Sequence, residues 1–130
     1  MAAPSMTQAT AGNALASTAL AASGTTSFTV DLSAKWEGQV MVKVTMGATV
    51  AATAGVKVEV FMDYVGGATP TWSTVNPNFT YTVAAGAASA VVYSPIIFLP
   101  TGRYQVKLTN LDATNGVTAE ASLGTVDSVA

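Results

Sequence analysis

Histidine and cysteine are both absent from the 130 residues. Nucleophile–base triads, thiolate chemistry and the usual zinc ligand sets therefore have no members to draw on. Carboxylates are the groups left for acid–base work: Asp31, Glu37, Glu59, Asp63, Asp112, Glu120 and Asp127. A catalytic pair needs two of them facing one bond, and these are well separated, at outward strand positions or in turns. Each reads as a solvated charge that keeps a strand face wet or blunts a sheet edge. The run Asp112-Ala113-Thr114-Asn115-Gly116 lacks the series of acidic ligands and the closing Glu of a calcium loop. Gly66-Gly67 has no following Lys-Ser/Thr and no helix to present to a phosphate. No catalytic residue, metal ligand or cofactor is expected, and the chain is expected not to be an enzyme.

Binding is the remaining chemistry, and aromatic side chains are its usual anchors. Trp36, Trp72, Tyr64, Tyr81 and Tyr93 have the ring types that line a sugar platform. Tyr64 and Tyr81 share the phase of the apolar residues in their strands and are expected in the core. Trp72 lies between chain breakers with no such phase and is the leading candidate for a contact between subunits. The expected interface set is Leu15, Leu20, Trp36 and Trp72.

Those residues must be positioned by a scaffold, and composition limits what it can be. Half of the chain is hydrophobic, but only 9% is charged and the net charge is −2. A typical globular chain carries about 25% charged residues, so Ser, Thr, Ala, Asn and Gly must cover this surface. Weak charge repulsion suits a subunit of an assembly better than a freely diffusing protein. The five cations, Lys35, Lys43, Lys57, Arg103 and Lys107, are scattered. No basic cluster exists to neutralise phosphates, so direct nucleic-acid binding is not expected. No run approaches the roughly 20 apolar residues of a membrane helix. The small apolar run at 14–22 lacks a preceding cation, so an unprocessed, soluble product without membrane attachment is expected.

From Thr25 onward the hydrophobic period is two. Phe28–Leu32, Gln39–Met46, Val56–Tyr64, Phe79–Val83, Arg103–Leu111 and Val117–Val126 alternate apolar and polar residues, each burying one face. In the mostly apolar run Ser89–Leu99, Pro95 cannot donate to a ladder and marks an edge, a bulge or a boundary between two strands. Glycine and proline clusters interrupt the chain every 8 to 12 residues, and Asp112–Gly116 reads as a hairpin loop through its Asn-Gly pair. The expected fold is all-β: a single Greek-key or jelly-roll-like sandwich of about eight short strands over residues 25–130.

Residues 1–24 form a separate, uncharged segment of Ala, Ser, Thr, Gly and Asn, read as an extended N-terminal arm. Leu15 and Leu20 can mark a short Ala-rich helix capped by Asn13 and ended by Gly24. Two readings stand: a flexible tail, or an arm that orders against a neighbouring subunit. In either case the arm is expected to be dispensable for folding and needed for assembly.

One motif carries fold information. In Leu99-Pro100-Thr101-Gly102-Arg103-Tyr104-Gln105-Val106, a corner turn enters a strand with Tyr two residues after Gly. It is similar to the tyrosine corner of Greek-key sandwiches, whose hydroxyl bonds nearby backbone, with Val106 where immunoglobulin domains have cysteine.

Taken whole, the Ala/Ser/Thr arm, the His- and Cys-free sandwich and the very low charge resemble the small structural proteins of tailed-phage virions. The likeness is strongest to head decoration (cement) proteins. That resemblance implies a β-sandwich on the capsid surface of a virion, bound to the major capsid protein and to copies of itself, often as a homo-trimer. A phage tail, fibre or head–tail adaptor component is a second reading, and a carbohydrate-binding β-sandwich module a third. Coplanar exposed aromatics favour sugar binding; buried tryptophans favour decoration.

Overall fold

The computed structural model describes residues 5–8, 14–48, 53–73 and 76–128. Among them are ten strands and no helix: β1 (Ser5–Gln8), β2 (Leu15–Leu20), β3 (Thr25–Asp31), β4 (Glu37–Met46), β5 (Val56–Met62), β6 (Phe79–Val83), β7 (Val91–Tyr93), β8 (Ile97–Pro100), β9 (Arg103–Asn110) and β10 (Val117–Ser128). All pairings are antiparallel. In the first sheet β10 and β4 are central; β1 and β2 follow one another along the free side of β10, and β7 and β8 along the free side of β4. The second sheet runs β3-β9-β5-β6. Apart from β1–β2, β5–β6 and β7–β8, every connection changes sheet, which is the double Greek key of a jelly roll. The expected all-β sandwich is what forms.

Alternation decides which residues fill it. Val40, Val42 and Val44 of β4, Val56 and Val58 of β5, and Val106 and Leu108 of β9 are fully buried. Their polar neighbours in sequence point outward, because successive side chains of a strand face opposite sides. On β10 the inner row is Val117, Ala119 and Ala121, with Leu123 packed against the core, as the sequence phase predicts.

Pro95 separates β7 from β8 as a strand boundary. Ser94 closes the gap it leaves. Its N–H donates to Val42 O at 2.8 Å, and its hydroxyl accepts the Val42 N–H at 2.9 Å while donating to Pro95 O. The two short pieces therefore behave as one interrupted edge.

The corner motif is present. Tyr104 is buried, and its hydroxyl donates to Pro100 O at 2.9 Å. Gly102 adopts φ +142°, which a side chain would strain. Around it, Leu32 N–H donates to Gly102 O and the Thr101 hydroxyl to Leu32 O, tying this corner to the end of β3. Tyr104→Phe leaves the Pro100 carbonyl without that donor. It is expected to lower stability by about 1 kcal/mol, read as a fall in the denaturant midpoint at constant m-value.

Several expectations are overturned. Residues 15–20 are neither helix nor free arm: β2 pairs with β10, placing Leu20↔Val117 and Leu15↔Ala121. Leu20 is 3% exposed within the core, and Leu15 packs against it. Both are thus spent inside the subunit rather than at an interface, and the described strands of the expected arm 1–24, β1 and β2, belong to the sandwich. The unpaired backbone of β10 overrides the weak helical preference of an Ala-, Ser- and Thr-rich segment. The expected cap Asn13 and the segment 49–52 lie outside the described residues. Asp112–Gly116 is no hairpin, because β9 and β10 lie in different sheets. Tyr64 is not core: β5 ends at Met62 and the ring is 70% exposed. Phe61, outward by phase, is buried instead.

Candidate functional site

Two carboxylates expected on the surface are buried, and both organise loops. Asp112 accepts backbone N–H groups from Thr114 (2.8 Å), Asn115 (2.7 Å) and, across the sandwich end, Thr53 (2.6 Å). These bonds, that of Thr114 foremost, hold its carboxyl well below the usual carboxylate range. Beside it the Asn110 amide donates to the carbonyls of Ala21 and Asn115 and accepts the Asp112 N–H. Together the two residues staple the β2–β3, β4–β5 and β9–β10 connections.

At the opposite end Asp63 plays the same part for the long β5–β6 connection. Its carboxylate accepts the N–H groups of Thr71 (3.0 Å), Val65 and Gly66 and pairs with the Arg103 guanidinium. Its pKa falls to about 2, chiefly through the Thr71 N–H. Arg103 also donates to the carbonyls of Gly67 and Ala68, so an internal cation fills the cradle. The polar groups at both ends are spent on structure. Among the described residues no group of three or more acidic side chains is placed to hold a metal ion.

The outer face of the first sheet is different. Reading across β10, β4 and the β7–β8 edge, the register aligns Thr118–Thr45–Val91, Glu120–Lys43–Tyr93 and Gly124–Gln39–Phe98. Ser122–Met41 lies between the last two rows. Tyr93 is 53% exposed and Phe98 62%, and Val91 and Ile96 are also exposed. An apolar stripe therefore runs along the edge for roughly 20 Å, three steps of two residues at ~3.4 Å each, with a polar column beside it. Met41, Lys43, Tyr93, Glu120 and Ser122 line a shallow depression of about 220 Å³. Within it Lys43 Nζ lies 3.4 Å from a Glu120 carboxylate oxygen. A partly exposed pair of this kind adds little stability. Rigid strands hold every member of the set, the condition for a preformed binding face.

Of the residues singled out in the sequence, Trp36 is exposed at the start of β4, its N–H donating to Val126 O. Trp72 is partly buried and bridges to Asp63. Both stand at the Asp63 end of the sandwich, so neither joins the Tyr93 depression. The sequence offers Tyr93 as a platform aromatic, reads Glu120 as a solvated charge and Lys43 as one of five scattered cations, and points to neither Met41 nor Phe98. The signal is weak: Phe98 stands opposite in phase to buried Ile97 and Leu99. Tyr93 shares their phase in sequence and faces outward because the break at Pro95 shifts it, with Val92 and buried Ser94 on the inner side of its own piece.

No family model matches the chain, and no curated protein matches it in sequence. Solved structures with a similar course include a family 16 carbohydrate-binding module (13% identity, 81% of this chain and 71% of that one, TM-score 0.45). Another is a family 36 module in complex with calcium and xylotriose (17% identity, 92% and 91%, TM-score 0.44). A third is a protein from Sulfurospirillum deleyianum (9% identity, 98% and 100%, TM-score 0.48). At TM-scores below 0.5 these likenesses bear on neither ligand nor partner. The sandwich is established by this chain's own strand pairing.

Proposed function

We propose that the chain is a non-catalytic binding module that holds a carbohydrate on the outer face of its first sheet. The reading rests on the row Glu120–Lys43–Tyr93 in its shallow depression. A pyranose ring has an apolar C–H face and a rim of hydroxyls. Tyr93 offers a flat amphipathic ring for the first, and Lys43, Glu120 and Ser122 offer donors and acceptors for the second. Phe98, further along the same edge, gives a second stacking surface for a neighbouring sugar unit. Nothing in this arrangement attacks or protonates a bond; it positions.

Calorimetric titration with neutral xylo- and gluco-oligosaccharides tests this. Tyr93→Ala is expected to weaken binding at least tenfold, about 1.4 kcal/mol, with the unfolding midpoint little changed because the ring is exposed. Heat that is the same in wild type and Tyr93→Ala overturns the site.

Val91 and Ile96 favour a second reading. Two exposed aliphatic side chains have little use against a sugar, yet they extend the stripe into a surface suited to a protein. On that reading the same face docks the module on a virion shell, as a capsid decoration protein or a tail component. Absence of binding to every oligosaccharide, with co-sedimentation on assembled capsids lost in Phe98→Asp, favours it.

A further inference from the structure

We infer that β6 is a self-association edge, and that two copies of the chain join by antiparallel pairing of β6 about a two-fold axis at Tyr81. This concerns the second sheet and is independent of the face proposed for ligand. Among the described residues β6 pairs only with β5, leaving its other side unpaired. The other sheet edges are guarded. Both edges of the first sheet are broken into short pieces, β1 and β2 on one side and β7 and β8 on the other. The β3 edge exposes Thr25, Ser27, Thr29 and Asp31, all polar. Interrupted or polar edges resist strand addition.

β6 is short, but unlike the edges of the first sheet it is uninterrupted, and unlike β3 it carries no charged residue. Its sequence, Phe79-Thr80-Tyr81-Thr82-Val83, contains no charge and no proline. Phe79 and Tyr81 share the inward phase of Val83, since they pair with Val60 and Val58, yet they remain 36% and 37% exposed. The segment is also self-complementary. A two-fold at Tyr81 sets Phe79 against Val83 of the second copy, Thr80 against Thr82, and Tyr81 against its equivalent. Aromatic with β-branched, threonine with threonine and aromatic with aromatic are the cross-strand pairs that stabilise antiparallel ladders. Such an interface is isologous and closes as a dimer, giving one continuous eight-stranded sheet.

Light scattering on the full chain across a concentration series reads the assembly. Wild type is expected to pass from monomer to dimer. Tyr81→Lys sets two like charges face to face and is expected to weaken dimerisation at least tenfold. Tyr81→Glu alone does the same, and an equimolar mixture of the two variants restores a dimer. Thr80→Lys is the control for folding, because Thr80 is exposed and stands opposite Glu59 within the monomer; it too is expected to weaken the dimer. A wild type that stays monomeric throughout overturns the inference. So does a dimer or trimer whose concentration dependence these variants leave unchanged.

Discussion

Deletion of residues 2–24 is expected to abolish cooperative unfolding and to leave a chain that aggregates or exposes its core. The deleted segment holds β1 and β2, which cover the free side of β10 along most of its length. It also holds Leu20, which sits in the core, and Leu15, which packs against it. Replacing a buried leucine by alanine costs about 2–5 kcal/mol, and domains of this size are stable by only about 5–15 kcal/mol. Removing the whole strand also uncovers the β10 backbone, whose donors and acceptors then lose their partners. Circular dichroism and a denaturant titration of the truncated chain check the prediction. A sharp transition with an unchanged midpoint would show that the segment is an appendage. Leu20→Ala in the full chain isolates the packing contribution, about 3 kcal/mol on the same scale. Leu15→Ala, at a half-buried position, is expected to cost less.

Asp112→Ala is expected to be among the most damaging of the polar substitutions. The carboxylate accepts N–H groups from two different connections, those of Thr114 and Asn115 on one side and Thr53 on the other. Without it these donors face one another with no acceptor, and a buried donor left unpaired loses its full solvation. The same chemistry predicts a response to acid. The carboxyls of Asp112 and Asp63 have folded-state pKa values below their ordinary value of 3.8. Groups shifted in that direction contribute stability that is complete above the unfolded pKa and is lost as pH falls through the folded one. The denaturant midpoint is therefore expected to be level above about pH 5, to decline through pH 4, and to keep falling toward pH 2, where Asp63 titrates. In Asp112→Asn the midpoint is expected to be lower at neutral pH and the decline shallower, since the proton linked to Asp112 is gone. An equal slope in wild type and variant would mean that Asp112 does not carry this linkage.

Much of the architecture was legible in the residues. Period-two alternation in Val40–Met46, Val56–Val60, Arg103–Leu108 and Val117–Leu123 determined the strands and their inner faces, because a one-residue slip would turn every valine into water. Pro95, a residue without an N–H for a ladder, pointed to an edge, a bulge or a strand boundary, and the boundary between β7 and β8 is what forms. The Gly102-Arg103-Tyr104 corner was legible because a small glycine turn followed by a tyrosine is itself a local structure. The absence of His and Cys excluded most site chemistry outright.

Tertiary structure decided the rest, wherever the outcome depended on a partner distant in sequence. Leu15–Leu20 has no strong local preference; the edge of β10, about a hundred residues away, made it a strand and took Leu20 into the core. Asp63 and Asp112 look like any turn carboxylates in sequence, and only the folding of loops around them made them buried acceptors. Tyr64 kept the phase of β5 but lay beyond its end, so alternation no longer governed it. The Glu120–Lys43–Tyr93 row joins three strands whose register is set by the whole sheet. Local pattern fixes which face of a strand is apolar, whereas the company that face keeps is a property of the assembled sandwich.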